Sequence, residues 1–303
     1  MDGNNGAASA LRVQRIETDA FKSAMLSRLI AAIKSKRKTI APPLAGNYVG
    51  LMGGLGNQLF QYAYARYLAV NGVVVSALAT NLFKDDQYAR KPLVQAISRL
   101  PAIALQREQI AALQIMADED GVAMCNTLRE SGEAGVFCRG YWQDPRYASA
   151  VAVELATDLQ AFGADHSPAV TSPCVLHVRR YDYGHHGLLP LQYYRAALEQ
   201  CGQPEFQVVT DEPNFCEYAF SKIPGYSGVI RGNTQEPWDD FFLMSAAPMQ
   251  IIANSSFSWW TAWLGEVSGM TKQIIAPAEW SLLGQPAACP VSWQRIEMPL
   301  QRP

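Results

Sequence analysis

The sequence predicts an α/β protein with two doubly wound units, each a parallel β-sheet flanked by helices. Residues 47–52 (NYVGLM) form a short apolar run, which a glycine-rich turn joins to a helical stretch and a second apolar run. Apolar runs and helical stretches alternate again from residue 174 onward. Residues 163–173 (GADHSPAVTSP) have the composition of a linker between these regions. We therefore expect a cleft between two units, a common place for small-molecule sites.

The composition excludes several classes of protein. The chain has 303 residues, of which 49% are hydrophobic, and a formal charge of -2. A charge so near zero argues against a protein that holds nucleic acid by bulk electrostatics. We find no apolar run of about 18 residues and no signal-peptide pattern, so we expect neither a membrane span nor secretion. The six cysteines form no C-x-x-C pair, which is typical of a reduced, cytoplasmic protein.

An amino-terminal extension, residues 1–46, precedes the first unit. Within it, residues 18–38 predict a helix, because Phe21, Met25, Leu29 and Ile33 recur at four-residue intervals and basic residues lie off that line. Two interpretations remain open. The helix lies on the anionic inner face of a membrane, as basic amphipathic helices do, or it packs on its own domain or on a second subunit.

The first unit is expected to span residues 47–165. Its predicted elements are a strand at 47–52, a turn at 53–56, a helix at 57–70, a strand at 72–79, a mostly helical stretch at 82–117, and a strand at 135–150 that runs into an aromatic loop.

The second unit is expected to span residues 172–303. Its predicted strands are 174–178, 206–210, 250–253 and 272–277, and its predicted helices are 191–200, 236–247 and 258–267.

Polar residues follow three successive strands of the second unit. His177, Arg179 and Arg180 end the first, Asp211 ends the second, and residues 254–256 (NSS) end the third. Parallel strands place their carboxyl ends at one edge of a sheet, so these groups should converge. Arginines fit phosphate oxygens, and a helix start also holds phosphate. The pattern predicts a nucleoside diphosphate site. The alternative treats each group separately, as helix caps and a structural ion pair.

The glycine-rich turn at residues 53–58 (GGLGNQ) is not a full dinucleotide fingerprint. Leu59 stands where the third glycine belongs, and residues 74–78 contain no acidic residue for a ribose. A nicotinamide enzyme is therefore disfavoured. The glycines would still let the backbone approach a ligand closely.

The sequence offers only weak metal motifs. Residues 118–120 (DED) match the D-x-D pattern of metal-dependent sugar transferases, but they follow a predicted helical stretch rather than an apolar strand. We interpret them as a solvated loop. His185 and His186 are adjacent, and adjacent residues rarely face one ion. We therefore expect no metal and no other cofactor.

Five segments carry a family resemblance. They are residues 53–69 (GGLGNQLFQYAYARYLA), 140–147 (GYWQDPRY), 177–183 (HVRRYDY), 186–198 (HGLLPLQYYRAAL) and 251–264 (IIANSSFSWWTAWL). In this order they resemble glycosyltransferase family 11, the α-1,2-fucosyltransferases, over residues 47–280. The H-x-R-R-x-D pattern is shared with α-1,6- and protein O-fucosyltransferases, so it supports fucosyl transfer but not a linkage.

The resemblance implies a GT-B fold, that is, two Rossmann-like domains that face each other across a cleft. It also implies an inverting reaction, with GDP-β-L-fucose bound by the second domain and no divalent metal. Arg179 and Arg180 match the family's paired arginines, one of which would be the principal diphosphate contact. His177 and Asp182 match the ends of the motif and complete the candidate catalytic set. The donor-binding positions that it implies are Gly54, Gly56, Asn57, Gln58, Asp211, Asn254, Ser255, Ser256 and Phe257.

Three features depart from the family pattern and concern substrate detail. Tyr181 stands where the family usually has glycine, the stretch before His186 is short, and the amino-terminal extension is unusual. The sequence does not single out a base for the acceptor hydroxyl. The candidates are His177, Asp182, Asp85, Asp86 and Asp144, or the leaving phosphate itself.

The expected function is cytoplasmic transfer of fucose to the 2-hydroxyl of a terminal galactose. The acceptor would be a lipid-linked O-antigen or capsule precursor at the inner membrane face of a bacterium. Two alternatives remain, fucosyl transfer with another linkage or acceptor, and an inactive protein that binds a nucleotide sugar or glycan. Turnover of GDP-fucose, as opposed to binding alone, separates them.

Overall fold

The structure, a computed structural model, describes most of the chain after the amino-terminal extension. The described residues are 46–84, 86–118, 135–166, 171–180, 186–233, 236–283 and 288–302. They belong to one compact unit, Pro43–Pro303. The helix predicted at residues 18–38, as well as Asp85, Tyr181 and Asp182, lies outside the described residues.

The first sheet has five parallel strands in the order β3-β2-β1-β5-β4. The strands are β1 (Asn47–Gly50), β2 (Val75–Ala79), β3 (Ala102–Ile103), β4 (Gln114–Ala117) and β5 (Val136–Arg139). The helices of this region are α1 (Leu55–Val70), α2 (Arg107–Ala111), α3 (Pro145–Ala150) and α4 (Ala152–Gly163). We call this region the first domain.

The prediction of a mostly helical stretch at residues 82–117 is wrong. This stretch contains two short 3-10 turns, the strands β3 and β4, and only five residues of α-helix. Pro92 and Pro101 explain the break, because proline lacks the N–H that a helix interior needs. The polypeptide instead adds a strand at each edge of the sheet.

The second sheet has six parallel strands in the order β11-β10-β9-β6-β7-β8. The strands are β6 (Cys174–Val178), β7 (Phe206–Thr210), β8 (Tyr226–Arg231), β9 (Met249–Ile251), β10 (Gln273–Pro277) and β11 (Gln294–Ile296). The helices are α5 (Leu191–Gln200), α6 (Pro213–Phe220), α7 (Trp238–Ser245) and α8 (Ser256–Val267). We call this region the second domain.

The predicted strands and helices of the second domain are confirmed, but α6, β8 and β11 were missed. The strand β8 is an edge strand with no fully buried residue, so its apolar signal is weak. Counted within the domain, the strand order is that of a dinucleotide-binding Rossmann sheet, and its switch point lies between β6 and β9. The chain therefore has two Rossmann-like α/β domains. The exact domain boundaries stay a prediction.

The two domains share one hydrophobic core. Helices α1 and α8 pack together, and the ring of Phe60 lies 4.7 Å from that of Trp259 and 5.0 Å from that of Trp260, between centroids. The two domains thus form the walls of the cleft, and packed aromatic side chains join the domains at its base. Among the described helices, none combines the length and apolar character that crossing a bilayer requires.

Candidate active site

A cleft of about 250 Å³ lies where the carboxyl ends of the strands of both sheets meet. The second domain contributes residues that follow four of its strands, as expected for a ligand site at the switch point of a parallel sheet. These residues are His177, Arg179, Val209, Thr210, Asp211, Gly232, Asn233, Ser255, Ser256 and Phe257, with His186, Pro237 and Asp240 beside them. The first domain contributes Gly54, Leu55, Gly56, Asn57, Gln87, Tyr88, Arg90 and Tyr141.

The two adjacent arginines have different positions. Arg179 lines the cleft, and its Nε donates to Oδ2 of Asp211 at 3.1 Å. The backbone N–H of Arg180 donates to the other oxygen of Asp211 at 3.0 Å. The guanidinium of Arg180 lies 3.9 Å from the ring centre of Phe215, and Arg180 does not line the cleft. Of the two adjacent arginines, Arg179 is therefore the one that lines the cleft, held in place by Asp211.

His177 lies under the cleft as a neutral imidazole. Only 4% of the residue is exposed. Burial, together with the charge of Arg179, lowers its pKa to about 3. Its Nδ1 has no hydrogen-bond partner among the described residues. An imidazole with so low a pKa is a weak base at neutral pH, so His177 is a poor candidate for deprotonating an acceptor.

The pKa of His177 makes stability depend on pH. The unfolded chain binds this proton below about pH 6.5, whereas the folded protein does not until about pH 3. Stability should therefore fall as the pH is lowered from 6.5 toward 3, by at most about 1.4 kcal/mol per unit. We expect the free energy of unfolding of His177→Gln, measured by denaturant titration, to fall less between pH 7 and pH 5 than that of wild type. His186→Gln, at an exposed position, is the control, and parallel curves for wild type and His177→Gln would contradict this assignment.

The start of helix α8 opens into the cleft. Ser255 is the N-cap residue, but its side chain makes no capping hydrogen bond. The first intrahelical bond runs from the N–H of Trp259 to the carbonyl of Ser255 at 3.0 Å, so the N–H groups of residues 256–258 precede it. Such N–H groups and the helix dipole favour an anion. Ser255, Ser256 and Phe257 all line the cleft, as the sequence predicted.

Asn57 joins the two domains at the mouth of the cleft. Its Oδ1 accepts hydrogen bonds from Oγ of Ser256 at 2.7 Å and from Nε2 of Gln143 at 2.8 Å. These two bonds fix which way the amide points. Beside it, Gly56 lies against the backbone of residues 256–257, and a Cβ on Gly56 would overlap these atoms. At Gly56 the backbone at the start of α1 approaches the backbone at the start of α8 closely. The glycine is therefore needed for contact between the two helices, and not only for access of a ligand.

Two predicted donor-binding residues have structural roles instead. Gln58 is fully buried and donates to the carbonyls of Gly53 and Lys91, and its Oε1 accepts from the N–H of Val94. Asn254 is buried and donates to the carbonyls of Gly187 and Trp280. Neither lines the cleft. Both amides satisfy backbone groups that would otherwise be buried without partners. A sequence motif alone does not distinguish this structural role from ligand binding.

Known proteins resemble this chain over most of its length. The model of glycosyl transferase family 11 matches residues 25–281. The chain belongs to glycosyltransferase family 11. An alpha-1,2-colitosyltransferase of Escherichia coli is 30% identical over 298 residues, which cover 82% of this chain and 97% of that protein. The O-antigen biosynthesis glycosyltransferase WbnK of Escherichia coli is 34% identical over 116 residues, 35% of this chain and 38% of that protein.

Solved structures show more distant likeness. A family 9 glycosyl transferase from Veillonella parvula has a TM-score of 0.42 and 11% identity, with 83% of this chain and 86% of that chain covered. The fucosyltransferase NodZ from Bradyrhizobium has a TM-score of 0.40 and 13% identity, with 76% and 94% covered. The GT-B architecture of this family 11 chain follows from its own two Rossmann-like sheets and the cleft between them.

Several cleft residues of the family 11 chain escaped the sequence analysis. Gln87, Tyr88 and Arg90 lie on a loop that was predicted to be helical, so no signal placed them near a ligand. Asp86 organises this loop, because its Oδ1 accepts from the N–H groups of Tyr88 and Arg90. Asp240 belongs to a stretch that was predicted only as a helix, so its position in the cleft was not expected. Tyr141 belonged to a predicted aromatic loop, and its place in that loop is the signal that could have found it.

Of the remaining base candidates, the two that the structure describes, Asp86 and Asp144, do not line the cleft. Asp86 holds its own loop together, as described above. Asp144 caps helix α3 and pairs with Arg146. Burial acts to raise the pKa of Asp144, but hydrogen bonds from Arg146 lower it overall. These two carboxylates thus serve local structure, and neither meets an acceptor in the cleft.

The interpretation of the DED segment needs a correction. An apolar-containing strand, β4, does precede Asp118. The Oδ2 of Asp118 accepts from the N–H groups of Tyr141 and Trp142, at 2.9 and 2.7 Å. Asp118 therefore shapes a loop of the first domain, and Glu119 and Asp120 lie outside the described residues. The described residues contain no group of three His, Cys, Asp or Glu that could hold an ion. Metal independence stays a prediction.

Proposed function

We propose that this protein transfers L-fucose from GDP-β-L-fucose to a galactoside with inversion, forming an α-1,2 linkage on a surface-glycan precursor. One observation carries the proposal. Arg179, oriented by Asp211, lines the same cleft as the uncapped start of helix α8, at the switch point of the second sheet. A guanidinium and a helix start are the two groups that best bind a diphosphate.

The same two groups would assist departure of GDP. When the bond between fucose and phosphate breaks, negative charge grows on the β-phosphate while the sugar gains oxocarbenium character. Fixed donors aimed at that oxygen stabilise the transition state more than the ground state. Attack by the acceptor hydroxyl on the opposite face of the sugar gives the α-fucoside. Its proton goes to a base or, after a loose transition state, to the phosphate that has already departed.

Asp240 is the carboxylate that would recognise the guanine base. Of the two described carboxylates that line the cleft, Asp211 is paired with Arg179, whereas Asp240 accepts from the N–H of Asn233 at 2.7 Å. Burial raises the pKa of Asp240, and a hydrogen-bond donor from a ligand would compensate for this. Guanine presents two adjacent N–H donors, which match one carboxylate.

We expect Asp240→Asn to weaken GDP binding by about tenfold or more, because a hydrogen bond to a charged group is lost. Inosine diphosphate lacks the 2-amino group, so wild type should prefer GDP over it and the variant should prefer it less. Calorimetric titration of both nucleotides measures this. Asp239→Asn is the matched control, since Asp239 is exposed and pairs with His166. An unchanged preference in Asp240→Asn would refute the assignment.

The donor sugar has a second candidate. The match with the relative named alpha-1,2-colitosyltransferase covers 97% of that protein. Colitose is L-fucose without its 3-hydroxyl group. A donor pocket that hydrogen-bonds the 3-hydroxyl would reject the deoxy sugar strongly, whereas an apolar pocket would accept both. The GDP-activated forms of fucose and colitose should therefore be compared directly.

The cellular setting is part of the proposal. The names of both relatives concern sugar transfer, and one concerns O-antigen biosynthesis, which supports a glycan precursor as the acceptor. We propose that the protein works in the cytoplasm, with peripheral contact at the inner membrane through residues 18–38. The partners are then GDP-fucose and a glycan with terminal galactose, and neither a metal nor nucleic acid is required.

The deciding experiment is GDP release from GDP-fucose with lactose or N-acetyllactosamine, in EDTA, with the product linkage read by NMR. Acceptor-dependent release with an α-1,2 product supports donor, linkage and metal independence together. Faster release from GDP-colitose would reassign the donor. Loss of activity in EDTA that manganese restores would overturn metal independence. Binding of GDP-fucose without turnover on a wide acceptor panel would favour an inactive binding protein.

A further inference from the structure

Among the described residues, three Phe and Tyr side chains line the cleft, and one of them has no aromatic ring or cation packed on it. Phe257 packs near His177 and Phe241, with ring centroids 5.6 and 5.9 Å away. Tyr88 has the guanidinium of Arg90 over its ring, at 4.3 Å. Tyr141 is 45% exposed, and in the described part of the chain no ring or cation covers it and its hydroxyl makes no hydrogen bond. About half of this residue is thus accessible to a ligand.

The backbone beneath Tyr141 is held rigidly. Asp118 accepts from the N–H groups of both Tyr141 and Trp142. Trp142 has a left-handed backbone with φ of 55°, which a bulky residue adopts only when its surroundings enforce it. Those surroundings are visible, because Trp142 is buried and stacks on Tyr64 with 3.9 Å between centroids. A ring on such a loop loses little freedom when a ligand binds.

Tyr141 lies on the opposite side of the cleft from the protein groups that we propose bind the diphosphate. It follows β5 of the first domain, whereas Arg179 and the start of α8 belong to the second domain. The next residue but one, Gln143, donates to Asn57, which in turn contacts Ser256 at the helix start. These two hydrogen bonds fix the position of the loop that carries Tyr141 relative to the start of α8. A sugar on Tyr141 would lie across the cleft from the leaving group.

We propose that Tyr141 is the platform on which the acceptor galactose stacks, an inference that rests on the proposed function. In a β-galactoside the axial 4-hydroxyl leaves C3–H, C4–H and C5–H together on one apolar face. An aromatic face covers this patch well, because its negative quadrupole attracts C–H groups. In a β-glucoside the 4-hydroxyl is equatorial and both faces are more evenly polar. Tyr141 thus selects galactose over its 4-epimer.

The test compares wild type, Tyr141→Ala and Tyr141→Phe, with Tyr218→Ala as the control at an 85% exposed tyrosine outside the cleft. Tyr141→Ala should raise the KM for a β-galactoside about three- to tenfold, with kcat and GDP affinity little changed. Its preference for galactoside over glucoside should shrink. Tyr141→Phe keeps the ring and should stay within about twofold of wild type.

A second readout does not need turnover. With GDP present, saturation-transfer NMR on methyl β-galactoside should show the largest signals at C3–H, C4–H and C5–H, and Tyr141→Ala should abolish that pattern. If fucosyl transfer fails but this pattern appears, the platform stands and only the proposed reaction falls. An unchanged KM in Tyr141→Ala, an equal loss in Tyr141→Phe, or no galactoside signal in wild type would each overturn the platform.

Discussion

Arg179→Ala should lower kcat by about 10²- to 10³-fold, the cost of removing one fixed donor from a developing negative charge. Arg179 lines the cleft and is oriented through Nε by Asp211, which is itself almost buried. In the proposed reaction, loss of the guanidinium removes one of the two groups that we assign to the β-phosphate of the departing GDP and leaves the start of α8. Steady-state GDP release at saturating donor and acceptor measures kcat directly. Arg179→Lys should restore little, because a point charge cannot reproduce the paired N–H donors.

Arg180→Ala is the matched comparison for this experiment. Its guanidinium stacks on Phe215 rather than lining the cleft, and its contact with Asp211 comes from the backbone N–H, which alanine keeps. We expect a much smaller loss of kcat than in Arg179→Ala and a modest loss of stability, since an exposed cation–π contact contributes about 0.5–1 kcal/mol. Equal losses of kcat in the two variants would contradict the assignment of Arg179 as the diphosphate contact.

Gly56→Ala should destabilise the whole protein. A Cβ at this position would overlap the backbone nitrogen of Phe257 and the carbonyl carbon of Ser256. Backbone atoms cannot move aside cheaply, so helices α1 and α8 must separate at the shared core of the two domains. Overpacking of this kind costs about 1–3 kcal/mol, which corresponds to a fall in Tm of roughly 2–5 °C for a chain of this size. Differential scanning calorimetry measures the shift.

Gly54→Ala is the control on the same loop. Gly54 has φ of -74°, which alanine adopts readily, and a Cβ there would meet no atom within 4 Å. Its Tm should therefore stay within about 3 °C of wild type. Because Gly54 lines the cleft, its added methyl group should instead weaken GDP binding. If Gly54→Ala were the less stable variant, or if Gly56→Ala kept the wild-type Tm, the contact between α1 and α8 would be wrong.

Local patterns in the sequence predicted much of the second domain. Residues 191–200 were predicted as a helix and form α5 with those bounds, and the strands 174–178 and 206–210 are also confirmed. Apolar runs and helical periodicity are properties of neighbouring residues, so they can be read without a structure. The stretch 82–117 failed for the opposite reason. Its short strands exist because the first sheet has edges to extend, which no local pattern records.

The candidate site divides in the same way. The sequence predicted that Arg179, Asp211 and Ser255 each follow a strand of the second domain, and parallel strands bring such ends to one edge. It could not separate Arg179 from Arg180. Successive side chains of an extended segment point to opposite sides, and the choice depended on Phe215, which lies on a helix that the sequence analysis missed.

The sequence by itself determined the α/β fold and, through five family motifs, the resemblance to glycosyltransferase family 11, because both depend on patterns of neighbouring residues. Only the tertiary structure decided which of the motif residues line the cleft and which hold the two domains together. The bond between Asn57 and Ser256 joins residues 199 positions apart, and Gly56 is needed at its place because of a helix in the other domain. Contacts of this range depend on how the two sheets pack, and that information belongs to the folded chain.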